Sequence, residues 1–288
     1  MGSFEPGELI ADKYRVERVL GQGGFGVVVA AHHVALDRRV ALKALLPEVA
    51  KKPDAVSRFL REGRAATKIQ SEHVVRVLDV GTLEGGNPYL VMEYLEGSDL
   101  GQLVKSSGAL PAETAVDYVL QACEAIAEAH ASGIIHRDLK PANLFLSRRA
   151  DGTSLVKVLD FGISKLTETG SGADEVGITA SAAVVGSPRY MSPEQMRSSR
   201  DVGPSTDVWS LGVILYELLT GVPPFAGTSF PEVCIQVVSD TPASLRTHVA
   251  SIAEGLDRAV LRCLAKKSAE RHADVAALAV AIAPYGSP

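Results

Sequence analysis

The sequence predicts an α+β protein with a β-rich first part and a longer, mainly helical second part. In roughly the first ninety residues, valine-rich runs alternate with turn residues around a single helical pattern. After that, apolar residues recur at helical spacing over 116–130, and the run 208–219 is apolar around most of a helix circumference. A hinge is therefore expected near residues 96–98.

The individual elements follow from the same patterns. Strands are expected at 14–20, 27–31, 40–46, 74–80 and 89–94, with a Gly-Gly-Asn-Pro turn before the last one. Helices are expected at 54–68, 116–130, 207–220, 256–264 and 275–282. Gly133 is placed to end the second of these helices, and Gly221 the third.

Composition limits the function classes. Of the 288 residues, 46% are hydrophobic and 22% are charged, and the net charge is −5. This acidic balance argues against nucleic-acid binding, which needs a basic face. The cysteines Cys123, Cys234 and Cys263 are far apart, which excludes a disulfide framework and a cysteine zinc site and predicts buried thiols.

Neither a signal peptide nor a membrane-spanning segment is expected. The acidic N-terminal stretch at 1–14 lacks an apolar core. The longest apolar run, 208–219, is too short to span a membrane and contains Glu217. We therefore expect a cytoplasmic chain.

A glycine-rich loop at 21–26 joins the first two expected strands. Its G-x-G-x-x-G spacing also occurs in dinucleotide-binding folds, where the third glycine opens a helix. Here three valines at 27–29 follow the third glycine and favour a strand. The loop is thus either a plain flexible hairpin or a flap whose backbone N–H groups approach phosphates closely.

A lysine in an apolar strand has a potential carboxylate partner on the next helix. Lys43 would need an anion to hold it near phosphates. Glu62 shares a strip of the helix with Phe59 and Ala66 and can therefore face inward. The alternative is a solvated glutamate and a lysine that reaches solvent at a strand edge.

Polar residues are concentrated in the sequence IIHRDLKPAN at 134–143. Asp138 and Asn143 are five positions apart, and Pro141 restricts the backbone between them, so the loop can aim a carboxylate at a substrate hydroxyl and an amide oxygen at a metal. Asp160 begins an Asp-Phe-Gly sequence after an apolar strand, and a carboxylate there suits Mg²⁺.

In this order, the motifs resemble the eukaryotic-like protein kinase family, most closely its bacterial (Hanks-type) serine/threonine branch. The similar motifs are GQGGFGVV, VALK, RFLREGRAA, HRDLKPAN, DFG, SPE and DVWSLGVILYELLTG, and together they cover essentially the whole chain. The resemblance implies a bilobal kinase fold in one domain over 1–288, with an N-lobe at about 10–95, a hinge at about 93–98 and a C-lobe at about 99–284.

The resemblance implies a serine/threonine protein kinase that transfers the γ-phosphate of ATP to Ser and Thr hydroxyls of protein substrates. Asp138 would be the catalytic base, and Lys140 would lie near the transferred phosphate. Lys43, held by Glu62, would contact the α- and β-phosphates.

The resemblance also implies the nucleotide and metal sites. Adenine would hydrogen-bond to the backbone of Glu93 and Leu95, beside Met92 as the gatekeeper. Mg²⁺, with Mn²⁺ as an alternative, would bind Asn143 and Asp160. The other residues expected around ATP are Leu20, Gly21, Gln22, Gly23, Gly24, Phe25, Gly26, Val28, Ala41, Lys43 and Leu144.

The segment 167–187 is rich in small and hydroxyl residues and resembles an activation loop. Thr179 and Ser181 are the expected autophosphorylation sites. Arg137 faces this loop in the family and needs an anion, which either Asp174 and Glu175 or a phosphate on the loop would supply. The family resemblance also allows a homodimer that performs trans-autophosphorylation. It further allows that the chain is the cytosolic domain of a longer membrane protein.

The resemblance implies structural roles for four further residues. Glu194 and Arg271 would form a buried ion pair, Asp207 would hold the catalytic-loop backbone, and His136 would be a packed core residue.

The sequence departs from the family pattern at several positions. Ser187, Ser192 and His272 replace the usual Thr, Ala and Pro. Gly63 follows Glu62 directly, and a glycine inside a helix costs roughly 0.5–1 kcal/mol relative to alanine. We therefore expect a helix that leaves its active position readily.

Two other functions fit part of the pattern. A pseudokinase scaffold usually lacks one of the residues at Lys43, Asp138 and Asp160, and all three are present. A small-molecule phosphotransferase of related fold lacks the SPE segment, which is present at 192–194. Both features favour an active protein kinase.

Overall fold

The computed structural model describes residues 4–83, 85–149, 151–161, 188–197 and 202–288. The chain divides into two compact units, one formed by residues up to Gln70 with Val74–Glu96, the other by Ser71–His73 with Gly97–Pro288. The division after Glu96 falls in the segment where the sequence predicts a hinge. The sequence does not predict that the short segment Ser71–His73 belongs to the second unit.

The first unit contains an antiparallel β-sheet and two helices in its described residues. The strands are β1 (Leu9–Ile10), β2 (Tyr14–Gln22), β3 (Gly26–His33), β4 (Arg38–Leu45), β5 (Val77–Thr82) and β6 (Pro88–Glu93). Their spatial order is β1-β2-β3-β4-β6-β5. The helices are α1 (Pro47–Ala50) and α2 (Pro53–Ala66).

The side chains of the sheet alternate between its two faces. Val27, Val29 and Ala31 of β3 are buried in the larger apolar cluster, as the period of a strand requires. A second cluster joins Phe59 of α2 to Leu90 of β6 and to the end of β4. Because α2 packs on β6 in this way, the face of α2 that carries Phe59 lies against the sheet.

The second unit is mainly helical. Its helices are α3 (Leu100–Ser107), α4 (Ala112–Ala131), α5 (Pro193–Arg197), α6 (Ser205–Thr220), α7 (Phe230–Ser239), α8 (Glu254–Cys263) and α9 (Val275–Ile282). A small antiparallel sheet is formed by β7 (Ser98–Asp99), β8 (Leu144–Arg148) and β9 (Ser154–Val158), in that order. No helix in the described ranges combines the length and apolar character that a membrane span requires.

Helix α6 is the central helix of the second unit. It is buried on most sides, including the polar residues Asp207 and Ser210, and it packs against α4 and α8. A side chain at Gly212 would collide with Cys263, so glycine permits the close approach of α8. Gly221, with a φ of +76°, ends the helix in the left-handed conformation.

The structure confirms the α+β fold class and the expected helices and strands. It also confirms the buried pair of Arg271 and Glu194, whose Nη1–Oε1 and Nη2–Oε2 distances are 2.7 Å and 2.8 Å. Cys123 and Cys263 are buried as expected, whereas Cys234 is only half-buried on α7.

His272 predicts an acid-sensitive contribution to stability. Its ring is 5% exposed, and its Nε2 atom lies 3.0 Å from the carbonyl oxygen of Ala259 in α8. Burial lowers the pKa of His272. The unfolded chain therefore binds this proton more readily, and stability falls as the pH drops through about 6.5.

We expect His272→Gln to reduce the loss of unfolding free energy between about pH 7 and about pH 5. Urea denaturation at both pH values measures this loss, and His248→Gln, which removes an exposed histidine, is the control. Equal losses in the wild type and the His272 variant would contradict the assignment.

Candidate active site

The catalytic-loop backbone is anchored to α6 through a buried carboxylate. Asp207 is 0% exposed, and its two oxygens accept hydrogen bonds of 2.9 Å each from the backbone N–H groups of His136 and Arg137. The Nε2 atom of His130 lies 2.7 Å from Oδ2 of the same carboxylate. The expected anchoring role of Asp207 is confirmed by these contacts.

This anchor holds Arg137 in an unfavourable backbone conformation. Its φ is +66°, a left-handed value that non-glycine residues seldom adopt. The backbone is fixed on both sides, because the N–H of Arg137 donates to Asp207 and its carbonyl oxygen accepts a 2.8 Å bond from Nε2 of Gln195. The surrounding hydrogen bonds therefore impose this turn just before Asp138.

Two polar side chains of the loop, those of Lys140 and Asn143, converge on Asp138. The Nζ atom of Lys140 lies 3.0 Å from Oδ2 of Asp138. The amide nitrogen of Asn143 donates to the Asp138 carbonyl oxygen at 2.8 Å and lies 3.4 Å from Oδ2. The side chain of Asp138 is 20% exposed, so the carboxylate is held in place and remains accessible.

His136 joins this loop to the residues before Phe161. Its Nε2 atom lies 3.0 Å from the Leu159 carbonyl oxygen, and its ring packs against Phe161 at a centroid distance of 4.9 Å. The N–H of Asp138 donates to Nδ1 at 3.3 Å, which assigns the proton of the neutral ring to Nε2. Burial lowers the pKa of His136, in agreement with a neutral ring. The expected packing role is confirmed.

The two expected metal ligands are connected through the backbone. The N–H of Leu159 donates to the Asn143 carbonyl oxygen at 2.8 Å, and Asp160 is the next residue. The side-chain amide nitrogen of Asn143 is bonded to Asp138, so its amide oxygen is the atom left for a cation. An amide oxygen with a carboxylate is a hard donor set that fits Mg²⁺.

The guanidinium group of Arg137 is incompletely satisfied within the described residues. Its Nη2 atom lies 3.4 Å from the Val202 carbonyl oxygen, and its buried Nε atom has no hydrogen-bond partner there. Burial lowers the pKa of Arg137, although Asp207 opposes this effect. A partly buried guanidinium group with an unpaired N–H is stabilised by an additional anionic partner.

The first unit brings Lys43 and Glu62 together. Lys43 lies on β4, opposite Val28 on one side and Leu90 on the other. Its Nζ atom is 3.8 Å from Oε2 of Glu62 on α2, and their side chains are 20% and 16% exposed. This contact resolves the choice left open by the sequence in favour of the inward-facing glutamate.

The glycines of the 21–26 loop have different structural requirements. A Cβ atom at Gly26 would lie 2.5 Å from the carbonyl oxygen of Ala44, so glycine is required where β3 approaches β4. A Cβ atom at Gly21 or Gly23 would meet nothing within 4 Å. Packing against the described residues therefore does not require glycine at these two positions.

The segment after β6 has backbone groups available for a ligand. The N–H of Glu93 donates to the Arg76 carbonyl oxygen at 3.0 Å. In the described part of the chain, the backbone N–H and C=O of Leu95 make no hydrogen bond. Met92 lies on β6, opposite Ala41.

The other expected nucleotide-site residues lie in both units. In the first unit, the residues 20–22 end β2, Gly24 and Phe25 form the exposed tip of the hairpin, and Val28 is half-buried on β3. In the second unit, Leu144 is fully buried at the start of β8. The expected phosphorylation sites Thr179 and Ser181 lie outside the described residues, as does Ser187.

Sequence reasoning missed two contacts near the loop. Gln195 bonds both to the Arg137 carbonyl oxygen and to the backbone N–H of Ser192. The hydroxyl of Tyr190 donates to Oε2 of Glu217 at 2.7 Å, and burial raises the pKa of that glutamate. The only sequence signal was the position of Gln195 directly after the SPE motif.

A family model described as the protein kinase domain matches residues 14–280 of the chain. The chain belongs to the protein kinase domain family. Among curated proteins, this kinase domain is 40% identical over 266 residues to the serine/threonine-protein kinase PknB of Mycobacterium leprae. It is 39% identical over 273 residues to the serine/threonine-protein kinase pkn3 of Myxococcus xanthus.

These alignments cover 91% and 94% of the kinase domain but only 41% and 49% of the two relatives. The chain thus spans less than half of the length of the curated relatives it matches. Among solved structures, the PknI kinase domain of Mycobacterium tuberculosis is similar with a TM-score of 0.72, 26% identity and 98% coverage of both chains. The family uses ATP and a divalent cation and acts on protein substrates.

Gly63 has a packing role that the sequence does not reveal. A Cβ atom there would lie 2.7 Å from Cδ2 of Leu90, so glycine allows α2 to approach β6. Helix propensity alone predicts that alanine stabilises α2 by about 1 kcal/mol. Because overpacking costs about 1–3 kcal/mol, we expect Gly63→Ala to lower the unfolding free energy by about 1 kcal/mol.

Denaturant unfolding measures this change. A double-mutant cycle is completed by two further variants, Leu90→Val alone and Leu90→Val combined with Gly63→Ala. We expect the smaller valine to reduce the cost of the alanine. A Gly63→Ala variant that is more stable than the wild type would show that helix propensity outweighs overpacking against Leu90 at this position.

Proposed function

We propose that the chain is the catalytic domain of a serine/threonine protein kinase that transfers the γ-phosphate of ATP to Ser and Thr hydroxyls of proteins. The observation that carries this proposal is the catalytic loop, in which Asp138 is held by Lys140 and Asn143 while Asp207 fixes the backbone. The serine/threonine specificity is supported by the two curated relatives, both of which are serine/threonine-protein kinases.

In the proposed reaction, the carboxylate of Asp138 accepts the proton of the substrate hydroxyl as the hydroxyl oxygen bonds to the γ-phosphorus. The bond between the γ-phosphorus and the β,γ-bridging oxygen breaks at the same time, and ADP leaves. Lys140, 3.0 Å from that carboxylate, places a positive charge beside the transferred group. Lys43, oriented by Glu62, holds the α- and β-phosphates. These residues position the reactants and neutralise charge, which phosphoryl transfer requires above all.

We assign Asn143 and Asp160 as the metal ligands, because they offer hard oxygen donors joined through the Leu159 hydrogen bond. A bound divalent cation would neutralise phosphate charge. Mg²⁺ fits these donors, and Mn²⁺ is the alternative. Adenine would hydrogen-bond to the backbone of Glu93 and Leu95, and the flap at 21–26 would cover the phosphates.

The proposed domain is one kinase domain over 1–288, acting in the cytoplasm alone or as the cytosolic part of a membrane protein. Autophosphorylation of Thr179 and Ser181 would activate it. The Nε atom of Arg137 has no hydrogen-bond partner among the described residues. This supports the proposed regulation, because a phosphate on that segment would supply an acceptor. A homodimer would allow trans-autophosphorylation.

The proposed role of Asp138 is tested by incubating the wild type and Asp138→Asn with Mg-ATP and a generic protein substrate. We expect kcat to fall about 10²-fold or more in the variant, because asparagine cannot accept the proton. Equal nucleotide affinity in both proteins would show that the variant is folded. Undiminished phosphate transfer by the variant would contradict the assignment.

The proposed activation is tested by mass spectrometry of the incubated wild type. We expect phosphate on Thr179 and Ser181. The variant with alanine at both positions should have a lower kcat than the wild type, and adding Arg137→Gln to that variant should not lower kcat further. Ser171→Ala is the matched control from the same segment. Unmodified Thr179 and Ser181 in active enzyme would rule out this mode of activation.

A further inference from the structure

Side chains of β2 and β4 contact the segment that follows β6. The Nε atom of Arg39 lies 3.0 Å from Oε2 of Glu17, and its Nη1 atom lies 3.9 Å from Oε1 of Glu96. The guanidinium carbon of Arg39 lies 5.8 Å from the ring centroid of Tyr94. The hydroxyl of Tyr94 accepts a 3.1 Å hydrogen bond from Nη2 of Arg18. All these residues belong to the first unit.

Arg39 connects β2 to the segment that follows β6, which it contacts at two residues. Glu17 holds the guanidinium on β2, and the cation then reaches both Tyr94 and Glu96. The neighbouring Arg38 projects from the opposite face of β4, because successive side chains of a strand alternate. Among described residues, Arg38 makes no ion pair. These two adjacent arginines therefore form a natural pair for comparison.

The contacts fix residues on both sides of Leu95. On one side, Glu93 is bonded to residue 76 twice, through its backbone N–H at 3.0 Å and through its side-chain Oε1 atom at 2.8 Å. Tyr94, on the same side, is contacted by Arg39 and Arg18. On the other side, Arg39 contacts Glu96. Leu95 lies between these held residues, and its own N–H and C=O are unpaired in the described ranges.

We infer that Arg39, assisted by Arg18, is a positioning residue for nucleotide recognition: it holds Tyr94 and Glu96 so that the backbone of Leu95 is oriented toward adenine. This inference rests on the proposed ATP site. Neither arginine touches the nucleotide. Their effect is preorganisation, because a segment already held in its bound conformation loses less entropy on binding.

The size of the effect follows from the exposure of the contacts. The side chains of Arg39 and Glu96 are 54% and 80% exposed, and exposed ion pairs are individually weak. We therefore expect the loss of Arg39 to weaken nucleotide affinity about threefold without abolishing activity. The change concerns the adenine end of the nucleotide, because Lys43 and the glycine flap hold the phosphates independently.

The test compares steady-state kinetics of the wild type with Arg39→Gln, Arg39→Lys and Arg38→Gln. We expect Arg39→Gln to raise KM for ATP about threefold while kcat stays within about twofold. Arg39→Lys keeps the charge beside Tyr94 and should restore part of the affinity. Arg38→Gln removes the same charge one residue away and should leave both parameters unchanged.

Inhibition by inorganic tripolyphosphate separates base recognition from phosphate binding. Its inhibition constant should be the same in the wild type and in Arg39→Gln, because this inhibitor lacks adenine. Equal KM values for Arg39→Gln and Arg38→Gln would overturn the inference and leave the proposed function untouched. A parallel loss of tripolyphosphate binding would also overturn it. A wild type that neither binds nor uses ATP would remove the proposed function itself.

Discussion

The carboxylate of Asp207 determines where the catalytic loop lies. It is fully buried at the beginning of α6, a helix end that favours negative charge, and it accepts the backbone N–H groups of His136 and Arg137. Each buried N–H left without an acceptor would cost about 1–3 kcal/mol. The left-handed turn at Arg137 depends on these bonds, and this turn directs Asp138 away from the core.

A chain of short contacts extends from this anchor. His136 bonds to the Leu159 carbonyl oxygen, the N–H of Leu159 bonds to the Asn143 carbonyl oxygen, and the Asn143 amide bonds to Asp138. The proposed base Asp138 and the proposed metal ligand Asn143 are thus connected to His136 by three hydrogen bonds, and the other proposed ligand, Asp160, directly follows Leu159 in the chain. A shift of Asp207 would therefore disturb the loop as a unit, because its members share bonds.

The same helix also supports the segment at 188–197. The hydroxyl of Ser210 donates to the Tyr190 carbonyl oxygen at 2.8 Å, and Thr206 bonds to Glu194, the buried partner of Arg271. A buried ion pair contributes little net stability, because desolvation offsets the attraction between its charges. Removing one partner is nevertheless costly, because it leaves an uncompensated charge in the interior. We interpret this pair as a device that fixes α5 against α6.

Much of the architecture was predictable because it repeats a simple pattern. The apolar residues around most of the circumference of α6 predicted a buried helix, and Gly133 predicted where α4 ends. The motifs then indicated Asp138, Asn143, Asp160 and Lys43 as site residues, although their roles toward ATP remain proposals. Strands of two residues, such as β1 and β7, have no period to detect, and the sequence did not reveal them.

Contacts between distant residues account for the other omissions. Gly63 looked like a weakness in a helix, whereas its role is set by Leu90, which is far away in the chain. The sequence does not distinguish Arg39 from its neighbour Arg38, and only the folded sheet shows that Arg39 contacts Tyr94. Periodicity reports the local environment of a residue but not its partner.

The most direct measurement is the steady-state kinetics of Asp207→Asn with ATP and a protein substrate. Asparagine keeps the shape of the side chain but only one acceptor oxygen, so one of the two loop N–H groups loses its partner. The account predicts that kcat falls at least about tenfold while KM for ATP changes by less than about threefold. An unchanged kcat in the folded variant would show that this carboxylate does not determine the position of the catalytic loop.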